Sequence, residues 1–143
     1  YTTIFLEFMQ KNNFTVVGQP VPKPRMTRSD RWKKRSCVIR YWEWADCTRM
    51  AATGNPNEKV KGEYFGIIAI FHLEMPKSWS QKKKEEYQGT IHQERADADN
   101  LMKGVKDALF EEDKAIAFEI ATKLWCHLDE EPRTDVFLLR KAN

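Results

Sequence analysis

The chain has 143 residues and a mass of 16.9 kDa, which is the size of one ordinary domain. Hydrophobic residues make up 41% and aromatic residues 12%, which is enough for one core and excludes disorder over the whole chain. Charged residues make up 31%, the mean hydropathy is -0.68, and no apolar run approaches the roughly 20 residues of a membrane-spanning helix. We therefore expect a single domain over residues 1–143 and no membrane partner.

The first half of the chain predicts one strand, one loop and one helix. Residues 14–17 are short, β-branched and followed by Gly18, which predicts a strand. Residues 3–8 predict either a second strand, paired through a turn at Asn12 and Asn13, or a loose tail within 1–13. Residues 19–32 contain three prolines and predict an extended basic loop. Residues 33–52 predict a helix whose buried stripe contains four residues at helical spacing: Val38, Tyr41, Trp42 and Ala45.

The second half predicts two helices and three strands. Residues 64–73 are apolar on both faces and predict a central strand. Residues 81–88, capped by Ser80, and residues 100–110 predict helices. Residues 116–128 alternate strictly and predict a strand with Phe118 and Ile120 on its buried face. Residues 136–139 are expected to pair back on it as a hairpin and to leave an unprotected edge. The order β-α-β-α-α-β-β predicts an α/β (α+β) fold, with a mixed sheet packed against helices.

Charge is distributed unevenly along the chain. Residues 22–49 contain nine Lys or Arg against three acidic residues, whereas residues 94–113 contain seven acidic residues against three basic ones. A basic segment that contacts phosphates explains the first region, and two solvated surfaces of opposite sign remain the alternative. The candidate DNA-binding residues of the basic region are Lys23, Arg25, Arg28, Arg31, Lys33 and Arg35. Trp32 lies among them and is a candidate for stacking on unpaired bases.

The acidic region contains a pattern typical of a metal site. Asp97 and Asp99 are two residues apart in the turn that enters a predicted helix, and Lys103 follows one helical turn later. Asp113 comes just before the next strand and can return to the same end of the domain. Such an oxygen-rich set suits Mg²⁺, which can polarise a phosphodiester and activate water. The alternative is structural, with Asp99 as a helix cap, an Asp99–Lys103 pair and a solvated Asp113.

Residues 92–109, HQERADADNLMKGVKDAL, resemble the core motif of the RusA family of Holliday junction resolvases. That motif reads roughly H-x-x-K-P-D-x-D-N-L-x-K-x-x-x-D-A-L and is followed by an acidic turn, here Glu112 and Asp113. Residues 18–28, GQPVPKPRMTR, are similar to the family's P-x-P-K-x-R opening. The chain departs from the motif at Ala96, where the family usually has Pro or Arg, and at Ala115, where Gln is frequent.

The resemblance implies a homodimeric endonuclease that uses Mg²⁺, or Mn²⁺ in its place, to cut branched DNA during recombination and repair. It implies the metal ligands Asp97, Asp99 and Asp113, with Glu112 as the alternative third ligand, and Lys103 as the catalytic lysine. Arg95 is a further candidate for DNA contact. Asn100 and Asp107 are supporting candidates, with Asp107 expected to orient Lys103 or Lys106.

Two other functions remain open on the sequence. The chain could be a nucleic-acid-binding module whose acidic residues are structural, or a nuclease that prefers flaps or single strands. Clustered carboxylates give a pure binder of polyanions no advantage, which favours the nuclease. The cysteines, Cys37, Cys47 and Cys126, form no C-x-x-C pair, and no secretory signal is recognisable. We therefore expect a cytoplasmic protein, and the resemblance implies a bacterium or a phage-infected cell as its setting.

Overall fold

The computed structural model describes residues 9–141, and the side chains of residues 12–140. The prediction for residues 3–8 thus lies outside the described residues. The elements are β1 (Met9–Val17), a 3-10 turn (Arg28–Arg31), α1 (Ser36–Thr53), β2 (Gly66–Leu73), α2 (Gln81–Tyr87), α3 (Ala98–Leu109), β3 (Phe118–Trp125) and β4 (Arg133–Lys141). The predicted order of strands and helices and the mixed α/β fold class are confirmed.

The four strands form one mixed sheet in the order β1-β4-β2-β3. β2 and β3 run parallel, while β4 is antiparallel to both β1 and β2. Parallel strands need a long crossover, and the segment containing α2 and α3 provides it. The predicted hairpin between β3 and residues 136–139 is wrong, because β4 inserts between β1 and β2. Its apolar character on both faces reflects this interior position, so β4 has no free edge.

β1 is longer than predicted, and its extra residues remove the expected turn. Asn12 and Asn13 lie within the strand and pair with Leu138 and Phe137 of β4. The side-chain amide of Asn12 donates to the hydroxyl of Tyr64, at 3.4 Å. A partner strand on one side therefore overrides the turn preference of two consecutive asparagines.

The helices α1 and α3 pack on one face of the sheet and bury the main core. Ile67, Ala69 and Phe71 of β2 are fully buried, and α3 contributes Leu101 and Val105. On α1 the buried tryptophan is Trp44, whereas Trp42 is 47% exposed, so its predicted place in the core is wrong. α1 ends at Gly54, whose φ of 80° closes the helix in the left-handed conformation.

The opposite face of the sheet is only partly covered. Phe118 and Ile120 of β3 are in register with Gly66 and Ile68 of β2, on the face that points away from α1 and α3. Phe118 is 41% and Ile120 44% exposed, so their predicted burial is wrong. The side chains of β3 do alternate between the two faces of the sheet. Phe118 and Ile120, however, lie on the open face, and the other face is the one that α1 and α3 cover. No helix in the described range is long and apolar enough to cross a membrane.

Candidate active site and nucleic-acid interface

The turn that enters α3 presents two free carboxylates. Asp97 is the N-cap of α3, with an extended backbone, and its carbonyl accepts the N–H of Leu101 at 3.1 Å. Neither the Asp97 nor the Asp99 carboxylate has a hydrogen bond or ion pair within residues 12–140, and both residues are exposed. The buried residues Leu101 and Met102 follow directly and anchor the turn to the core. Both carboxylates are therefore available to a ligand.

Lys103 also lies free on the same helix. It is exposed, and its amine forms no ion pair among the described side chains. The predicted alternative of a surface pair between Asp99 and Lys103 is therefore wrong. One turn of helix separates the two residues, so the amine and the Asp99 carboxylate face the same stretch of solvent. A free ammonium beside free carboxylates suits a site that receives an anionic substrate.

The backbone before Asp97 is held by a strand residue that the sequence did not single out. Lys123 of β3 is half-buried and its amine donates to the backbone oxygens of Glu94 and Ala96. Lys123 is in register with Phe71 and so lies on the helix side of the sheet. Its place in an alternating strand predicts only a polar face, because the carbonyls that it binds lie almost thirty residues earlier in the chain.

His92 has a structural role before the turn of Asp97. It is 4% exposed, and its ring stacks on Trp125 with 3.9 Å between centroids. Its Nδ1 accepts the N–H of Glu94 at 3.2 Å. Burial, followed by the charge of Lys123, lowers the pKa of His92 below its ordinary value. A neutral imidazole therefore supports the turn that leads to Asp97.

Asp113 is not grouped with Asp97 and Asp99. Its carboxylate lies 3.7 Å from the amine of Lys106, which is also 2.9 Å from the carboxylate of Glu119. Lys106 lies seven residues beyond Asp99, about 10 Å along the helix axis. In the part of the chain that the structure describes, no three His, Cys, Asp or Glu side chains are close enough to hold a metal ion. Glu119 was not predicted, since only the fold places it beside Lys106.

The available donors suit a magnesium ion that keeps part of its water shell. Mg²⁺ commonly takes one or two carboxylates and completes its coordination with water and substrate phosphate. Asp97 and Asp99 provide two unengaged carboxylates on one exposed turn. Asp113 and the alternative ligand Glu112 are paired with lysines, Asp113 with Lys106 and Glu112 with Lys114. The chemistry of the first two residues fits the ion, whereas the third ligand remains a prediction.

Asp107 binds a different lysine from the one expected. Its carboxylate pairs with Lys23 of the proline-rich loop, not with Lys103 or Lys106. The loop backbone passes α3 at Gly104, and the close neighbour there is α1: a Cβ on Gly104 would lie 3.1 Å from Cε1 of Tyr41, which is tighter than ordinary contact. The hydroxyl of Tyr41 donates to the carbonyl of Gly104 at 2.8 Å and ties α1 to the same point. Asp107 thus anchors the loop to α3.

The basic loop is organised around a buried acid. Asp30 is 7% exposed and accepts two hydrogen bonds from Arg35, both at 2.8 Å, and one from the N–H of Thr27. These contacts, that of Arg35 first, hold the pKa of Asp30 far below its usual range. The Arg35 guanidinium also donates to the carbonyl of Arg25. Arg35 is therefore engaged within the loop, as Lys23 is with Asp107, so neither has the unpaired charge that the predicted DNA contact assumed.

The other predicted DNA-binding cations of the loop face solvent. Their side chains have no ion pair with any described residue, and all are exposed: Arg25, Arg28, Arg31 and Lys33. Trp32 is 71% exposed and stays a candidate for stacking. Arg95 is exposed and equally unpaired, and Asn100 lies in the first turns of α3 beside Asp97. The surface on the loop side of Asp97 is therefore positively charged.

One comparison with known proteins identifies the family of the chain. The family model described as endodeoxyribonuclease RusA matches residues 15–138, which is most of the chain. No curated protein and no solved structure matches the chain. The matched range contains the free carboxylates of α3, the lysine one turn later and the basic loop packed beside them. The chain belongs to the RusA family of endodeoxyribonucleases.

Proposed function

We propose that the protein is a Mg²⁺-dependent endonuclease that resolves four-way DNA junctions by paired hydrolysis of phosphodiesters in recombination and repair. The observation that carries the proposal is the pair of free carboxylates, Asp97 and Asp99, on an exposed turn with the free amine of Lys103 one helical turn away. The family match supports nuclease chemistry on DNA. A module that only binds nucleic acid would gain nothing from unpaired carboxylates next to phosphates.

The residues of the turn have separate tasks. Asp97 and Asp99 would hold a Mg²⁺ ion, whose chemistry there would be to polarise the scissile phosphate and to lower the pKa of an attacking water. Asp97 and Asp99 provide the negative charge that retains the ion, and Lys103 faces the charge that develops on the phosphate. Lys123 and His92 keep the preceding backbone in place, so the two carboxylates need no reorganisation when DNA arrives.

We also propose that the active form is a homodimer. Two opposed strands of a junction need paired cuts, and two-fold symmetry is the simplest way to provide two active sites. The support lies on the open face of the sheet, where the apolar side chains of Phe118, Ile120 and Ile91 are exposed. A second copy of the chain would cover that face without blocking the helix-side turn at Asp97. Light scattering that gives about 17 kDa across micromolar concentrations, with and without junction DNA, would contradict the dimer.

One assay tests the nuclease. The protein is incubated with matched four-way, flap, duplex and single-stranded DNA, in Mg²⁺, Mn²⁺ or EDTA. We expect cleavage of the four-way junction with Mg²⁺ and none with EDTA. Asp99→Asn should abolish cleavage, because the amide keeps the shape and removes the charge that holds the ion. Binding of the junction in EDTA should survive or tighten, since repulsion from the phosphates is relieved.

The control is Glu63→Gln, which removes one carboxylate from an exposed position in the loop before β2. It should cleave like the unchanged protein. Full activity of Asp99→Asn would refute the site assignment. Equal cleavage of flaps or single strands would refute junction selectivity and favour the alternative nuclease. Mixed dimers of the unchanged chain with Lys103→Ala should nick one strand and seldom complete resolution.

A further inference from the structure

A pocket of about 460 Å³ opens between the proline-rich loop, the first turns of α1 and the turn before α3. Val21, Pro22 and Pro24 form its apolar wall. Asp97 lies on its border, so the pocket adjoins the candidate active site. The polar groups that line it are Lys23, Arg40, Arg95, Asn100, Asp97 and the thiol of Cys37.

Two of the three cations in this pocket have no partner. Lys23 is neutralised by Asp107. The guanidinium groups of Arg40 and Arg95 form no hydrogen bond or ion pair with any side chain or carbonyl in residues 12–140. They come from different elements, α1 and the turn before α3, and both residues line one cavity. Unpaired guanidinium groups on residues that line a shared cavity can bind an anion there, because a guanidinium donates to two oxygens of a phosphate at once.

We propose that this pocket binds one phosphodiester of the DNA strand that passes Asp97, held between Arg40 and Arg95. This subsite deepens the proposed nuclease function and rests on it. The volume accommodates the phosphate together with the sugar that carries it. Pro22 and Pro24 offer the sugar an apolar surface, and Asn100 adds a neutral hydrogen-bonding group. Bound there, the phosphate fixes the neighbouring phosphodiester against the turn of Asp97 and Asp99, which is the positioning that phosphoryl transfer requires.

Cys37 lines the pocket, so the reactivity of its thiol can report whether DNA occupies the pocket. Cys37 and Cys47 are both exposed on α1, whereas Cys126 is buried. The two exposed thiols are ten residues apart, about 15 Å along the helix, and Cys47 lines a different, mostly apolar cavity beside β1. DNA in the proposed pocket would cover Cys37 and leave Cys47 accessible. The second thiol is therefore a matched internal control.

The experiment follows alkylation of each thiol by N-ethylmaleimide, a small neutral reagent, with mass spectrometry as the readout. Four-way junction DNA is added in EDTA, so that no cleavage occurs, and a gel shift measures binding in the same samples. At ten times the dissociation constant we expect Cys37 to react about tenfold more slowly, because only the free fraction is open, while the rate for Cys47 stays unchanged. The variant Arg40→Gln should lower the slope of log K against log salt by about 0.9, the value for one phosphate.

The control variant is Lys61→Gln, which removes one positive charge at an exposed site just beyond the opposite end of α1. It should leave both Cys37 protection and the salt slope unchanged. Binding of DNA with Cys37 reacting at its free rate overturns the pocket and leaves the nuclease intact. So does a salt slope for Arg40→Gln equal to that of Lys61→Gln. Failure of the unchanged protein to bind any branched DNA overturns both the nuclease and the subsite.

Discussion

Removal of the Lys123 amine should damage catalysis more than it damages the fold. The amine donates to the backbone oxygens of Glu94 and Ala96, and Met at this position keeps most of the aliphatic stem. Hydrogen bonds from a charged group are worth roughly 1.5–3 kcal/mol each, and ordering a lysine costs up to about 2 kcal/mol. Lys123→Met should therefore destabilise the protein by about 1–4 kcal/mol, which lowers Tm by roughly 3–13 °C.

The effect on cleavage follows from where the two carbonyls lie. Both belong to the turn that positions Asp97, so the loss of their donor lets the carboxylates shift relative to the phosphate. A displacement on the order of 1 Å can cost about a hundredfold in rate. We expect kcat for junction cleavage to fall between about tenfold and a hundredfold on that basis. Junction affinity in EDTA should change little, because the cations of the basic loop stay in place.

Single-turnover cleavage, gel shift and thermal unfolding separate the two effects. Lys61→Met is the matched control, since Lys61 is 87% exposed and pairs with Glu58, which is not a candidate metal ligand. That variant should lose less than about 0.5 kcal/mol of stability, as surface substitutions usually do, and retain its cleavage rate. Unchanged kcat in Lys123→Met, measured well below its Tm, would show that the turn keeps its shape without the lysine. The positioning role would then be wrong.

Three further outcomes are expected. Replacement of Arg25, Arg28 and Arg31 together by Gln should flatten the salt slope of junction binding by roughly two to three units, about 0.9 per phosphate, in a titration from low to high salt. Asp30→Asn should loosen the loop. Because Arg35 lowers the pKa of Asp30, the ionised carboxylate stabilises the folded protein above about pH 4, the ordinary carboxyl pKa, and this stabilisation is lost as the pH falls further. The variant should lack this pH-dependent part of the free energy of unfolding. His92→Asn should reduce acid sensitivity below about pH 6.5, because burial lowers the pKa of His92 and folding is therefore opposed by its protonation; urea unfolding at several pH values measures both effects.

Local patterns predicted the elements well, because each element is determined mainly by its own residues. The periodic helix of residues 100–110 appears as α3, and Ser80 caps α2 by accepting the N–H of Lys83. The strand partners were predicted less well. An apolar run such as residues 136–139 is compatible with any interior position, and only the order β1-β4-β2-β3 decides which strands flank it. Register and neighbour choice depend on contacts more than a hundred residues apart, as between β1 and β4.

In the candidate site, too, features set by neighbouring residues were predictable from the sequence, and contacts between distant residues were not. The free carboxylates Asp97 and Asp99 lie where the helix start places them. The D-x-D spacing alone left a structural role open, and the resemblance of residues 92–109 to the RusA motif favoured the metal site. The partners of Lys23 and Arg35 were not predictable, because an ion pair forms with whichever charge the fold brings near. Arg40 was not predicted as a DNA-binding residue either. It lies on a helix with other charged residues, and only the packed loop turns its surroundings into a pocket.

The ion pairs divide the basic residues into two functional groups. Lys23 and Arg35 are bound to Asp107 and Asp30, so they hold the loop against α3 and in its own compact form. Because these two charges are already neutralised inside the protein, they can release few counterions from DNA. Among the described residues, Arg25, Arg28, Arg31 and Arg40 have no such partner. Asp30 and Asp107 therefore need not oppose the proposed binding of DNA, because their charges are neutralised by Arg35 and Lys23. They fix the backbone of the loop that carries the unpaired cations.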